Sequence, residues 1–147
     1  MYEFSRITNK GLLEPELSYN LQGVFYSVAN KYGVGLKEQI YQKTIAEELT
    51  KQKIAFEQQK RINIHSIDSG KLLGVYIPDF VVDNKIILEI KATNFTSKRD
   101  INQQISYLKA SIYEIGYLVN FSTEKLDIRR SIFTNDKKTF MQLLKNS

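Results

Sequence analysis

The run Ile86-Ile87-Leu88-Glu89-Ile90-Lys91 constrains this chain more than any other stretch. Its near-continuous aliphatic residues predict a strand buried on both faces, as in the middle of a sheet. Glu89 and Lys91 interrupt it, and buried charges are costly unless they are paired or bound to metal. Just upstream, Ile77-Pro78-Asp79-Phe80-Val81-Val82 reads as a second apolar strand opened by an aspartate. Asp83-Asn84-Lys85 is the turn between the two strands.

Side chains alternate faces along a strand, so the length of that turn decides the chemistry. Glu89 and Lys91 share one face with Ile87, while Ile86, Leu88 and Ile90 share the other. An odd loop centred on Asn84 sets Phe80 opposite Leu88 and Val82 opposite Ile86. Asp79 then faces Glu89, and the acids and the lysine converge on one side. A two-residue loop would shift the register by one and turn Asp79 away. The odd loop is the expectation, with Asn84 accepting a left-handed backbone conformation.

The rest of the chain frames this hairpin. Pro15 suits a helix start, Leu17, Leu21, Val24 and Val28 follow at helical spacing, and Gly33 is a natural stop. A second helix is expected over 37–51, with Tyr41, Ile45 and Leu49 on one stripe. Residues 54–66 read as a strand, Asp68-Ser69-Gly70 as a turn, and 71–77 as the returning strand. A third helix is expected from Lys98 or Arg99 to Glu114, burying Ile101, Ile105, Leu108 and Ile112. Strands follow at 116–121 and 126–132. Asp136 is placed to cap a last helix carrying Phe140, Leu143 and Leu144. The predicted order is α-α-β-β-β-β-α-β-β-α. This is an α/β fold with one mixed sheet and helices packed on it. It forms one domain over 1–147, with 1–14 loosely held.

With 147 residues the chain has room for a real hydrophobic core. No apolar run is long enough to span a bilayer, and residues 1–10 lack a signal-peptide core, so no membrane partner is expected. No cysteine is present, which excludes disulfides, a thiolate nucleophile and cysteine-held zinc or iron–sulfur groups. A cytoplasmic setting is the simplest expectation. The net charge of +5 and pI near 9.3 suit a polyanionic partner or a merely solvated basic surface. Basic residues gather late, at Lys98-Arg99, Lys109, Arg129-Arg130 and Lys137-Lys138.

Two neighbouring carboxylates repel, and a divalent cation is one ordinary remedy. Mg²⁺ is typically held by one or two carboxylates plus phosphate oxygens. A lysine on the same face could hold an attacking water or neutralise developing phosphate charge. Glu38, three residues before Tyr41 on a helix face, could add a third carboxylate, and Gln103 could orient water or phosphate. Each of these residues alone has an ordinary explanation: a surface ion pair, a turn, a helix-dipole partner, a core aromatic. Their ensemble points to phosphodiester hydrolysis.

Asp79 followed by Glu89-x-Lys91 resembles the PD-(D/E)XK nuclease superfamily, with its restriction-endonuclease-like fold. Gly35-x-x-Glu38-x-x-Tyr41 resembles the motif of the bacterial GxxExxY branch. The likeness runs from about Leu17 to Ile132. It takes in Gly33 to Leu36, the strand 88–92, Gln103 through Tyr107-Leu108, Asn120-Phe121 and the strand 126–130. The resemblance implies Asp79 and Glu89 as ligands of Mg²⁺ or Mn²⁺, joined by Glu38, and Lys91 as the catalytic lysine. It implies Gln103 and Tyr107 as a Q-x-x-x-Y pair at the site, with Gln104 the alternative if the helix is rotated. Tyr41, Tyr107, Arg99, Arg129 and Arg130 are the expected substrate contacts. The expected partner is nucleic acid, DNA above all, and many nucleases of this fold act as homodimers. The family often carries histidine in the first helix where this chain has Ala29. The competing expectation is a non-catalytic module that keeps the fold and binds nucleic acid or protein.

Overall fold

The structure is a computed structural model and describes residues 13–140. Its centre is a five-stranded mixed sheet in the order β1-β4-β5-β6-β7, beside a separate two-stranded hairpin, β2-β3. The elements run α1 (Pro15–Tyr32), α2 (Glu38–Lys51), β1 (Phe56–Gln58), β2 (Ile62–His65), β3 (Leu72–Tyr76), β4 (Phe80–Val82), β5 (Ile86–Lys91), α3 (Lys98–Lys109), β6 (Ile115–Phe121) and β7 (Leu126–Ile132). The fold class is the α/β class expected, and β5 is the middle strand. It pairs antiparallel with β4 and parallel with β6, through the α3 crossover that a parallel pair requires.

The β4–β5 turn has the odd length that parity requires. Phe80 pairs with Leu88 and Val82 with Ile86, and both Asp83 and Asn84 take positive φ, at 51° and 53°. The Lys85 N–H closes the turn on the Val82 carbonyl at 3.0 Å. One sheet face is therefore apolar throughout: Phe80, Val82, Ile86, Leu88 and Ile90 pack under α1 and α2. Each such side chain contributes roughly 1.5–3 kcal/mol on burial. On the opposite face, Val81 and Ile87 pack against Ile62 and Tyr76 of the hairpin and Leu108 of α3.

The chain departs from expectation in four places. Residues 54–66 form two strands, because Gln59 adopts φ 56° and breaks the run. Its first half then pairs with β4 and its second with β3, giving five strands before α3 and two sheets among the described residues. Helix α3 ends at Lys109, not Glu114: the buried Lys138 ammonium takes the carbonyls of Ser111 (2.8 Å) and Tyr113 (2.7 Å). Ile112, expected in the core, is 60% exposed as a result. Asp136 lies inside a short 3-10 turn, Asn135–Lys137, that follows Thr134. Leu143 and Leu144 lie outside the described residues, as does most of the segment expected to be loose. At its end, Leu13 packs on the core and its carbonyl accepts from Arg130, and Glu14 pairs with Lys85 at 3.1 Å. No helix among the described residues is long and apolar enough to cross a membrane.

Candidate active site

The carboxylates meet where β4 begins, β5 ends and α2 starts. Asp79 lies one residue before β4, and its Oδ2 accepts the N–H of Ile90 at 2.8 Å. That bond ties the aspartate to the strand carrying Glu89. Glu89 Oε1 accepts the Tyr76 hydroxyl at 2.6 Å and the Gln104 amide at 3.4 Å. Lys91, half-buried, acts electrostatically on Asp79, Glu89 and Glu38.

Glu38 reaches this end of the sheet because of a short clip. Gly33 and Gly35 take φ of 72° and 90°, left-handed conformations that a side chain would strain. The Tyr41 hydroxyl donates to the Gly33 carbonyl (2.8 Å) and accepts the Leu36 N–H (3.1 Å), while its ring stacks on Phe121 at 4.1 Å. The G-x-x-E-x-x-Y spacing thus builds a loop, a helix start and a pin. Tyr41 is fully buried and holds the loop that carries Glu38. This corrects its assignment as a substrate contact: its helix face points into the core with Ile45 and Leu49.

The electrostatics are those of a site rich in desolvated acid. Burial pushes Asp79 above the usual carboxylate range, against the Ile90 N–H, Lys91 and Gln42. Burial raises Glu89 as well, opposed first by the Tyr76 bond, with the Asp79 charge adding to the rise. Glu38 is raised by burial, then by Asp79, with Lys91 opposing. Among the described residues, no three acidic, histidine or cysteine side chains gather tightly enough to enclose an ion alone. A Mg²⁺-type ion does not need such a cage, since it keeps waters and takes one or two carboxylates. The donor set, acid oxygens short of positive charge, fits such an ion.

Helix α3 contributes Gln104, not Gln103. The Ser97 hydroxyl caps the helix by accepting the Asp100 N–H at 3.1 Å. That start sets the phase: Gln104 (1% exposed) and Leu108 face the sheet, and Gln103 faces solvent. The Gln104 amide donates to the Tyr117 carbonyl at 2.9 Å as well as to Glu89. Gly116 makes room for it, since a Cβ there would lie 2.7 Å from the Gln104 Cδ and Oε1. Tyr107 stacks on Tyr76 at 3.8 Å and 5°, and so braces the residue that holds Glu89. Arg99 is exposed in the first turn of α3, and Arg129 is exposed and paired with Asp127 at 3.0 Å.

Arg130 does not join them. Strand alternation turns it to the apolar face with Ile128, where its guanidinium donates to the Leu13 carbonyl at 2.8 Å. Two contributors were not singled out from the sequence. Gln42 bonds Glu38 at 3.4 Å, and its i,i+4 spacing was a legible signal. Tyr76 had none, because it comes from the separate hairpin.

Among curated proteins, none matches the chain. A solved structure titled "Crystal structure of SSO0001" is similar at 18% identity and TM-score 0.48, over 89% of this chain and 67% of that one. An alkaline exonuclease (LHK-Exo) from Laribacter hongkongensis is similar at 11% identity and TM-score 0.39. That match covers 67% of this chain and 57% of the exonuclease. A sequence model of the PD-(D/E)XK nuclease superfamily matches residues 15–131, a span holding both helices before the sheet, every strand but for the last residue of β7, and all the residues gathered around Asp79 and Glu89. By that match the chain belongs to the PD-(D/E)XK nuclease superfamily.

Proposed function

We propose that this protein is a Mg²⁺- or Mn²⁺-dependent nuclease that hydrolyses phosphodiester bonds in DNA at Asp79, Glu89 and Lys91. The observation that carries the reading is the convergence of two desolvated acids and a lysine on one sheet face, each acid held by its own donors. Asp79 and Glu89 would hold the ion, and Glu38 would add a third carboxylate charge that reaches Asp79. Such an ion, when bound, polarises the phosphoryl oxygen and makes bound water a stronger acid.

The chain's own residues do the rest. The Ile90 N–H fixes Asp79, and Tyr76 with Gln104 fixes Glu89, so neither acid has to reorganise as substrate binds. Lys91 puts positive charge beside the phosphate or orients the attacking water. Arg99 and Arg129 offer exposed cations to flanking phosphates. The Gly35/Glu38/Tyr41 pattern supports the GxxExxY branch. A cytoplasmic location and a homodimer complete the reading.

Purified protein with Mg²⁺ or Mn²⁺ should nick or degrade DNA. Asp79→Ala and Lys91→Ala should each abolish cleavage while circular dichroism stays native. Unchanged cleavage in both variants rejects the site. A calorimetric titration that finds no divalent binding, with or without DNA, would instead support the non-catalytic binding module.

A further inference from the structure

The loop that leaves β5, residues 92–97, is fastened at both sides and bare at its middle. Asn120, fully buried on β6, accepts the Thr93 N–H at 3.0 Å and donates to the hydroxyls of Thr93 and Thr96, each at 3.2 Å. The Thr93 hydroxyl in turn donates to the Phe95 carbonyl (2.9 Å), and the Thr96 hydroxyl donates to Asp127 (2.7 Å). Between these pins stands Phe95, 74% exposed, more than any other large hydrophobic residue among those described. A chain segment held this firmly keeps an aromatic ring in water, where burial would be favourable.

Its surroundings indicate what the ring meets. Asn120 is the register partner of Lys91, and Asp127 is the next residue in that row. The loop is therefore anchored to the row that ends in the catalytic lysine. Phe95 is four residues from Lys91, at most about 14 Å of extended chain. Lys98 and Arg99, in the next turn of chain, are exposed, and so is Arg129 beside Asp127. An aromatic platform flanked by cations is the chemistry of single-stranded nucleic acid binding: cations follow the phosphates and the ring takes a base.

We infer that Phe95 is a stacking platform for an unpaired base beside the scissile phosphate, so that the site takes single strands or frayed ends in preference to intact duplex. This rests on the nuclease reading of the same site. The backbone that carries the ring is already pinned before substrate arrives, so little ordering of the loop is lost on binding.

The chain has no tryptophan, so Phe95→Trp installs a sole reporter. Its fluorescence should be quenched by oligothymidylate and not by a blunt hairpin duplex, measured in Ca²⁺. Phe95→Ala should weaken oligothymidylate binding by about 5- to 150-fold, the range for one base–aromatic stack, and change duplex binding less than twofold. Phe95→Leu should behave like the alanine variant. No quenching, equal loss for both substrates, or full binding by the leucine variant each overturns the inference. Binding is read without turnover, so the two readings fail separately. Phe95-dependent strand binding in a protein that cleaves nothing sinks the nuclease reading alone. Cleavage that Asp79→Ala abolishes, with no strand preference set by Phe95, sinks this inference alone.

Discussion

Tyr76→Phe removes one oxygen atom and isolates the bond that prepares Glu89. The hydroxyl donates to Glu89 Oε1 at 2.6 Å, a length typical of a strong bond to a charged acceptor. Burial and the Glu89 charge hold the phenol well above its ordinary range, so it remains a donor throughout the working pH range. The phenylalanine ring keeps the 3.8 Å stack on Tyr107, so packing is conserved. A hydrogen bond to a charged group contributes about 1.5–3 kcal/mol, and Gln104, at 3.4 Å, is too long to replace it. The expected loss in unfolding free energy is therefore about 1.5–3 kcal/mol at neutral pH without metal. Crossing Tyr76→Phe with Glu89→Met in a double-mutant cycle, read by urea denaturation, isolates the pair. The same bond aims the carboxylate, so cleavage should fall by up to about 150-fold. A coupling energy below about 0.5 kcal/mol, within the error of additive sites, refutes the reasoning.

Two other perturbations separate roles by position. Gln104→Ala should lower cleavage at least tenfold and destabilise the protein by about 1–3 kcal/mol, since the Tyr117 carbonyl loses its partner. Gln103→Ala should do neither, and equal effects in an activity assay and a melt would overturn the helix phase. Lys138, 1% exposed, is lowered by burial to about 8, with Glu114 opposing. The unfolded chain therefore binds the extra proton between about pH 8 and the ordinary lysine value, and stability should rise with pH across that window. The gain is roughly 3 kcal/mol at most. Lys138→Met should flatten the rise in pH-dependent denaturation, and an unchanged slope would show that the ammonium is not the source.

Much of this molecule was legible in one dimension because local rules governed it. The period-two alternation of 79–91, with an odd turn, dictated which side chains share a face, and the register follows that arithmetic. Pro15 and Gly33 bounded α1 through φ preferences that no tertiary contact needs to supply. The early break at Lys109 was hidden, since a lysine nearly thirty residues away takes the carbonyls there.

The sequence by itself narrowed the acid–acid–lysine face to two choices of register, and favoured the one the structure has through Asn84, which tolerates a left-handed backbone. It also supplied the clip of glycines and Tyr41 that brings Glu38 to the sheet end, and the stripe Tyr41, Ile45 and Leu49 already pointed the tyrosine inward, against the substrate role that the resemblance implied. Only the tertiary structure decided which glutamine meets Glu89, that Arg130 rather than Arg129 turns to the Leu13 carbonyl, and that Tyr76 braces Glu89 from a separate hairpin. A helix turns about 100° per residue, so an error of one position in phase exchanges neighbours. Contacts between separate sheets leave no periodic trace, because they depend on where the whole chain places its surfaces.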